Sequence, residues 1–425
     1  MLDIRRVRQE PEAVAALLTK KGFLADFGPL LARDAERRAL LTDMEQLKAE
    51  RNRVSQDVAR LKKSGENADA MIQEMRGVGD RIAQYEAQIR SLEEAISEEL
   101  LTIPNPPLAD VPPGATADDN VEVKRWGFVP EFAFEPKPHW DLGEALGVLD
   151  FERGRKISGA RFTVFSGLGA ELSRALINFM LDHNRRRGYR EMAPPYLVNR
   201  DSLLGTGQLP KFAEDVFRVV PHEYYLIPTA EVPLTNLHRD EILDDGELPI
   251  RYTGYTASFR AEAGAAGRDT RGIIRQHQFD KVELVQFTRP EDSAEAILAM
   301  VADSEDVLEQ LGLPYRTVLL CGGDMGFTQE KTYDIEVWMP SYQRYVEISS
   351  VSLFGDFQAR RANIRYRPEG AKKTEFVHTL NGSALAIGRT FAAILENFQQ
   401  EDGTVAVPPA LQSYLDGRTV LSRDA

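Results

Sequence analysis

Residues 71–96 read MIQEMRGVGDRIAQYEAQIRSLEEAI, and apolar side chains recur along them at alternating spacings of four and three residues. These positions are Met71, Met75, Val78, Ile82, Tyr85, Ile89, Leu92 and Ile96. Such a heptad repeat predicts a long helix that buries one apolar stripe against a second helix.

The segment before it supplies the second helix. The same spacing occurs, with one arginine among the apolar residues, at Leu40, Met44, Leu47, Arg51, Val54, Val58 and Leu61. A polar interruption at Lys63–Asn67 separates the two repeats, which predicts an antiparallel coiled-coil hairpin over about residues 30–100. Helices of about 30 residues would carry its tip on the order of 40 Å from its base.

Basic side chains cluster near the predicted tip, at Arg51, Arg53, Arg60, Lys62 and Lys63. They make a modest signal for phosphate binding. Charges of this kind are equally typical of the solvated surface of an ordinary coiled coil, so the segment alone leaves both interpretations open.

Composition limits the class of protein. A chain of 425 residues predicts roughly two or three domains, and its net charge of −14 at pH 7 excludes a general affinity for nucleic acid, so any such contact must be local. No apolar run approaches the roughly 20 residues of a membrane span, and the N-terminus lacks the apolar core of a signal peptide, so we expect a cytoplasmic protein without a membrane partner. One cysteine, Cys321, and six scattered histidines predict neither a disulfide framework nor a zinc site. We therefore expect any metal to be Mg²⁺ that arrives with a nucleotide.

A proline-rich segment follows the hairpin, with Ile103–Pro107 and Val111–Gly114. It predicts a linker over 103–120 between an N-terminal domain, 1–102, and a second domain, 121–425. In that second domain a helix is predicted over 170–187, capped by Gly188, and another over about 291–311. Strand-like runs occur at 223–227, 281–287, 333–339 and 345–350. Clustered strands of this kind predict an α+β fold with an antiparallel sheet flanked by helices.

Arginines are the candidates for binding phosphate, because the chain has neither a P-loop nor a strand followed by GxGxxG. They are Arg260, Arg268, Arg271, Arg275 and Arg389. A guanidinium matches phosphate oxygens with a planar fork of donors and can also lie over a purine ring. Each arginine alone is more typical of a surface ion pair.

Five segments taken together resemble the bacterial seryl-tRNA synthetases, a class II family: 229–231, 260–262, 275–283, 347–350 and 381–389. The likeness covers essentially the whole chain and includes the hairpin. Gly188-Tyr189 through Pro194 looks like motif 1 of the class, 259–279 like motif 2, and Gly388-Arg389 with the residues after it like motif 3. The chain departs from the family pattern at Gly322, where threonine is usual, and at Val351-Ser352-Leu353, where a Cys-Ser-Asn-like run is usual.

The resemblance implies the ATP site. Arg260 and Arg389 would be catalytic, with Arg260 on the α-phosphate and Arg389 over the adenine and reaching the γ-phosphate. Phe279 would stack on the other face of the adenine, and Glu262 would accept a hydrogen bond from the amino group of the adenine. Glu347 and Ser350 would hold Mg²⁺ through oxygen. The remaining implied ATP contacts are Ala261, Gln276, Ile348 and Ser349.

The same resemblance implies a pocket for L-serine. Glu231 and Glu283 would attract its ammonium group, and hydroxyls would bond its side chain, with the pocket formed by Thr229, Ala230, Glu231, Glu283 and Ser383. His277 and His378 need no general-base role, because the carboxylate of serine is already the nucleophile.

Its implied partners are a second copy of the chain and serine tRNA. The family forms homodimers through motif 1, and its hairpin grips the long variable arm of serine tRNA, reading shape and backbone. Selenocysteine tRNA is a further implied acceptor, and Arg268 and Arg271 would approach the acceptor end. Two alternatives remain: a paralogue that charges another acceptor, which the intact hairpin disfavours, and a regulatory protein on an inactive core, which the retained Arg260, Glu283, Glu347 and Arg389 disfavour.

Overall fold

The computed structural model describes residues 1–263 and 271–423. The chain divides into two compact units. One holds Leu2–Ala16 and Leu24–Pro104, and the other holds Met1, Leu17–Phe23 and Asn105–Ala425. In the part of the chain described, no helix is both long and apolar enough to cross a membrane. Arg268 lies outside the described residues.

The first unit is built on the predicted hairpin, which is confirmed. Its helices are α1 (Ile4–Gln9), α2 (Pro11–Thr19), α3 (Gly28–Ser64) and α4 (Asp69–Thr102), of which α2 ends in the second unit. With 37 and 34 residues, α3 and α4 are each about 50 Å long, longer than predicted because both continue beyond the heptad positions. Gly65, at φ 79°, ends α3, and the amide of Glu66 returns to the carbonyl of Leu61 at 2.9 Å.

The heptad positions pack between α3 and α4. Met44, Leu47, Ile82 and Ile89 form its buried cluster, with Leu40, Leu41, Val78 and Tyr85 half-buried around it. Arg51, the arginine within the repeat, is exposed, so the apolar stripe opens there instead of burying a charge.

A buried carboxylate lies near the base of α3. Asp34 is 1% exposed and accepts hydrogen bonds from Arg8 at 2.8 Å, Arg38 at 3.1 Å and Arg37 at 3.3 Å. These arginines hold the pKa of Asp34 below its ordinary value, against the opposing effect of its burial. The network ties α1 to the hairpin within this unit.

The second unit contains a mixed sheet with helices around it. Its helices are α5 (His139–Leu146), α6 (Phe151–Ser158), α7 (Leu168–Arg186), α8 (Arg200–Thr206), α9 (Glu231–Asn236), α10 (Ser293–Leu311), α11 (Phe357–Ala362), α12 (Ile387–Asn397) and α13 (Pro409–Gln412). The strands are β1 (Val121–Trp126), β2 (Leu149–Asp150), β3 (Val164–Phe165), β4 (Arg190–Glu191), β5 (Leu197–Asn199), β6 (Arg218–Val219), β7 (Tyr224–Leu226), β8 (Ile242–Asp244), β9 (Ile250–Phe259), β10 (Gln278–Thr288), β11 (Tyr315–Leu319), β12 (Lys331–Met339), β13 (Arg344–Gly355), β14 (Arg365–Arg367), β15 (Glu375–Phe376), β16 (His378–Ala386), β17 (Val405–Ala406) and β18 (Val420–Leu421).

Eight strands form the main sheet, in the order β1-β11-β12-β13-β16-β10-β9-β4. Every ladder is antiparallel except that of β4 with β9. The predicted antiparallel sheet is therefore confirmed. Glu283 on β10 lies opposite Ser383 on β16 and Gly254 on β9, which places it among the central strands.

Helices α7, α10 and α12 cover the sheet and share its core. Leu176, Met180, Met300 and Phe391 from these helices are fully buried with Leu284 of the sheet. The helix predicted over 170–187 is confirmed as α7. Gly188, at φ 88°, follows it, as the cap prediction required.

The residues that depart from the family pattern are closely packed. A side chain on Gly322 would begin 2.4 Å from the carbonyl oxygen of Lys20, so this backbone has no room for threonine. Val351 is fully buried opposite Gly382, and Leu353 is 3% exposed, so the apolar run joins the core.

The single cysteine is also buried. The thiol of Cys321 donates to the carbonyl of Thr116 at 3.3 Å. It lies so close to Gly114 that a side chain there would begin 2.8 Å from its sulfur.

Candidate active site

A cavity of about 280 Å³ opens where β9, β10, β13 and β16 meet the N-terminal turn of α12. Its wall includes most of the predicted site residues, namely Thr229, Glu231, Arg260, Glu262, Gln276, Phe279, Glu283, Glu347, Ile348, Ser349, Ser350, Ser383 and Arg389. The fold thus collects residues that are more than 150 positions apart in the sequence.

Glu283 forms the acidic floor of this cavity. It is fully buried, and its carboxylate accepts from Lys281 Nζ at 2.6 Å and Thr229 Oγ1 at 3.3 Å. The amide of Asn381 donates to its other oxygen. A buried carboxylate requires partners of this kind, and these fix its orientation.

Glu231 is the second acid of the cavity and begins α9. It is 8% exposed and accepts a hydrogen bond from Gln358 Nε2 at 2.6 Å. Burial raises the pKa of the Glu231 carboxyl to about 7, against the hydrogen bond from Gln358, and the nearby charge of Glu283 also raises it. A cationic ligand beside Glu231 would favour its ionised form.

Arginine and phenylalanine meet on the wall beside these acids. The guanidinium carbon of Arg260, just after β9, lies 5.0 Å from the ring centroid of Phe279 on β10. Arg260 also donates to the carbonyl of Pro228 at 3.3 Å. A cation and an aromatic face are therefore available side by side, which suits a nucleotide.

Two further arginines are held by acids at the cavity. Arg275 pairs with Glu262 at 2.6 Å, and Glu262 has φ 53°, a conformation that non-glycine residues adopt mainly at constrained sites. Arg389, in the first turn of α12, donates to the backbone carbonyl of Glu347 at 2.6 Å and lies 3.4 Å from its carboxylate.

Oxygen groups from β12 and β13 gather at Glu347. Asp334 on β12 lies opposite Ser350 on β13. Burial, with the charge of Glu347, raises the pKa of Asp334 well above its ordinary value, although Ser350 donates a hydrogen bond to it. Among the described residues, Asp334 Oδ1 is buried and accepts no hydrogen bond. Buried oxygen without a donor, next to a half-exposed carboxylate and a hydroxyl, fits a hard cation.

Comparison with known proteins identifies the family. The seryl-tRNA synthetase N-terminal domain matches residues 1–107, and the tRNA synthetase class II core domain (G, H, P, S and T) matches residues 217–398. The serine–tRNA ligase of Carboxydothermus hydrogenoformans is 59% identical over 416 residues, which cover 98% of each chain. The chain belongs to the seryl-tRNA synthetase family.

Other members of the seryl-tRNA synthetase family also match this chain over nearly its whole length. The serine–tRNA ligase of Geobacillus kaustophilus is 57% identical over 99% of this chain and 100% of its own. The crystal structure of the seryl-tRNA synthetase from Pyrococcus horikoshii complexed with ATP superposes with a TM-score of 0.93 at 38% identity, covering 100% of both chains. The predicted family and its class II fold are therefore confirmed.

Three of the predicted site residues do not offer a free polar side chain to the cavity. Ala230 is fully buried in a separate apolar cluster, so only its backbone is near the site. The backbone amide of Ala261 donates to the carbonyl of Asp215 at 2.9 Å. Ser349 lines the cavity, but its hydroxyl donates to the carbonyl of Ser383 at 2.5 Å.

The predicted tRNA-binding residues fall in two places. Arg51, Arg53, Arg60, Lys62 and Lys63 are exposed on α3, and Arg60 pairs with Asp57 at 3.1 Å. Arg271 is exposed and lines a second cavity, of about 370 Å³, with Trp140 and Phe162.

Sequence reasoning missed three residues that hold the two acids: Lys281, Gln358 and Asn381. Lys281 could have been found, because it stands two positions before Glu283 in a predicted strand and so shares its face. Gln358 gave no signal, since it lies on the short helix α11, which the sequence pattern did not indicate.

Proposed function

We propose that this chain is a serine–tRNA ligase. It activates L-serine with ATP to give seryl-adenylate and pyrophosphate. It then transfers the serine to the 3′ end of serine tRNA, releasing AMP. The support is the family membership together with the cavity, which has the chemistry that both small substrates require.

The observation that carries this proposal is the pair of buried carboxylates, Glu231 and Glu283, beside the hydroxyls of Thr229 and Ser383. The two acids suit an ammonium group, and the hydroxyls suit a short hydroxylated side chain. A pocket that hydrogen-bonds a substrate hydroxyl rejects alanine strongly, because buried polar groups would be left unpaired, whereas threonine has to be excluded by shape.

In the activation step a carboxylate oxygen of serine attacks the α-phosphorus, and the bond from that phosphorus to the leaving pyrophosphate breaks. Arg260 is our candidate for stabilising the charge on the α-phosphate. The adenine would stack against Phe279, and its amino group would donate a hydrogen bond to Glu262. Arg389 would contact the far side of the nucleotide. Positioning and electrostatic stabilisation supply most of the rate in phosphoryl chemistry, so no general base is needed.

Magnesium belongs to the proposal as the companion of ATP. Glu347 and Ser350 would hold it, and the buried oxygen of Asp334 beside them makes the site fit a hard cation. When bound, the ion neutralises phosphate charge. We do not expect zinc to be required.

The tRNA step divides the work between two parts of the chain. We propose that residues 1–102 form a tRNA-binding domain, that 103–120 link it, and that 121–425 form the catalytic domain. The exposed basic residues of α3 would contact the long variable arm, and Arg268 and Arg271 would approach the acceptor end. The terminal ribose hydroxyl then attacks the seryl carbonyl, and AMP leaves.

Three further features follow from the family likeness and remain proposals: a homodimer formed through the motif 1 region, charging of selenocysteine tRNA, and a cytoplasmic location, where ATP and tRNA are found. Light scattering on the purified protein tests the first. Twice the mass of one chain is expected, and the mass of a single chain would contradict it.

The deciding experiment is charging of total bacterial tRNA with labelled serine, ATP and Mg²⁺, with alanine and threonine in parallel. Serine-specific charging that disappears when the variable arm is removed is the expected result. Serine-dependent pyrophosphate exchange without any charging would instead point to a different acceptor.

A further inference from the structure

Of the two buried acids, Glu231 accepts fewer hydrogen bonds than Glu283. Within residues 1–263 and 271–423, Glu283 accepts from three donors, including a lysine, whereas Glu231 accepts from one side-chain amide, that of Gln358 at 2.6 Å. The residue is only 8% exposed, so the ability of its carboxylate to bind a cation depends on what stabilises its charge.

The side-chain amide of Gln358 can adopt only one orientation, the one in which its nitrogen points to Glu231. It is fully buried on α11, and its Nε2 also donates to the carbonyl of Thr206 at 3.3 Å. Its Oε1 accepts from the hydroxyl of Thr379 on β16 at 2.7 Å. A carbonyl and a carboxylate cannot donate, whereas the threonine hydroxyl can, so this set of partners fixes the orientation of the amide.

We infer that Gln358, locked by Thr379, is a positioning residue that keeps the Glu231 carboxylate ionised and aimed at the ammonium group of the amino-acid substrate. This inference rests on the proposed function. Gln358 acts through Glu231 and is absent from the cavity wall formed by described residues.

The electrostatics around Glu231 give the inference a pH signature. Burial raises the pKa of Glu231 and the charge of Glu283 adds to it, while Gln358, Lys281 and Arg260 act in the opposite direction. Removing the amide donor therefore raises the pKa of Glu231 further. At neutral pH more of the protein would carry a neutral Glu231, and raising the pH would restore the carboxylate.

The test is Gln358→Met, which keeps the length of the side chain and removes its donor. Serine-dependent pyrophosphate exchange is measured from pH 6 to 9 with the full chain, ATP and Mg²⁺. A hydrogen bond to a charged group corresponds to a change of about tenfold or more. We expect the KM for serine to rise by at least about that factor at pH 7. We also expect the KM for ATP to stay within about twofold, and the deficit in kcat/KM for serine to shrink toward pH 9.

Two other variants distinguish the loss of this hydrogen bond from a general folding defect. Thr379→Val removes the group that orients Gln358 and should give a smaller change in the same direction. Gln399→Met is the matched control, because Gln399 is also buried and hydrogen-bonded, with Nε2 donating to the carbonyl of Lys137 at 3.0 Å. It loses hydrogen bonds as Gln358→Met does, but Gln399 does not line the cavity, so the kinetics for serine should stay within about twofold of those of the original chain.

The outcomes separate the inference from the proposed function. If the original chain is active and Gln358→Met keeps the same KM for serine, the inference alone is overturned. The same holds if the variant loses activity equally at every pH. An original chain without serine-dependent exchange overturns the proposed function and the inference with it. Equal losses for serine and ATP would also contradict a positioning role.

Discussion

Replacing Glu283 by glutamine tests the centre of the site, because the change keeps the shape of the side chain and removes its charge. Lys281, 2.6 Å away with a side chain only 9% exposed, would lose its counter-ion. Breaking a buried ion pair in this way costs about 3–5 kcal/mol of unfolding free energy. Serine would also lose a charged partner, so we expect kcat/KM for serine to fall by about 10- to 100-fold.

A second substitution separates these two effects. In Glu283→Gln with Lys281→Met no unpaired lysine remains, and a buried pair replaced by neutral groups is often close to neutral in stability. Denaturant unfolding should therefore recover most of the lost free energy, while serine-dependent pyrophosphate exchange should stay low. If the double variant regains the exchange rate of the original chain, Glu283 serves only to pair Lys281, and our assignment of the serine pocket is wrong.

Three further predictions concern the arm, the division of labour and pH. Asp34→Ala leaves three arginines without their shared carboxylate and should lower the thermal stability of the first unit, seen as an earlier loss of helical circular dichroism, whereas Asp43→Ala should not. Replacing Lys48–Ile89 by a short Gly-Ser turn should leave serine-dependent pyrophosphate exchange near its original rate and abolish most tRNA charging; equal loss of both activities would refute the division. Burial raises the pKa of Glu231 to about 7, so its carboxylate is lost as the pH falls through that value, and kcat/KM for serine should decline below about pH 7. A flat profile from pH 5.5 to 8 would count against Glu231 as an ammonium partner.

The hairpin was predictable because its signal is local and repeated. Each heptad position of 71–96 carries the same information, and the structure buries Ile82, Ile89 and Ile96 as expected. The lengths of α3 and α4 were underestimated, since helix continues at both ends through residues outside the apolar repeat. Strands β10, β12 and β13 were also found, but their order in the sheet depends on pairing between distant segments and has no local signature.

The active-site residues divide in the same way. Arg260, Glu283 and Arg389 belong to extended motifs, so the resemblance located them, and the structure brings them to one cavity. Ala230 was included only as a member of such a motif, and its side chain packs in the core. Asn381 lies in the motif segment 381–389 but was given no role there, and Gln358 lies outside every such segment; both matter because of a neighbour in space that the sequence does not reveal.

The buried position of Cys321 gives the chain a built-in reporter of opening. Since it is the only thiol in the sequence and is fully covered beside Gly114, a thiol-specific reagent can label it only in molecules where this part of the fold has come apart. The labelling rate under native conditions therefore measures how often the second unit opens near β11, with no engineered probe. Slower labelling with ATP and serine present would reveal that substrates at the cavity stabilise a region that they do not touch.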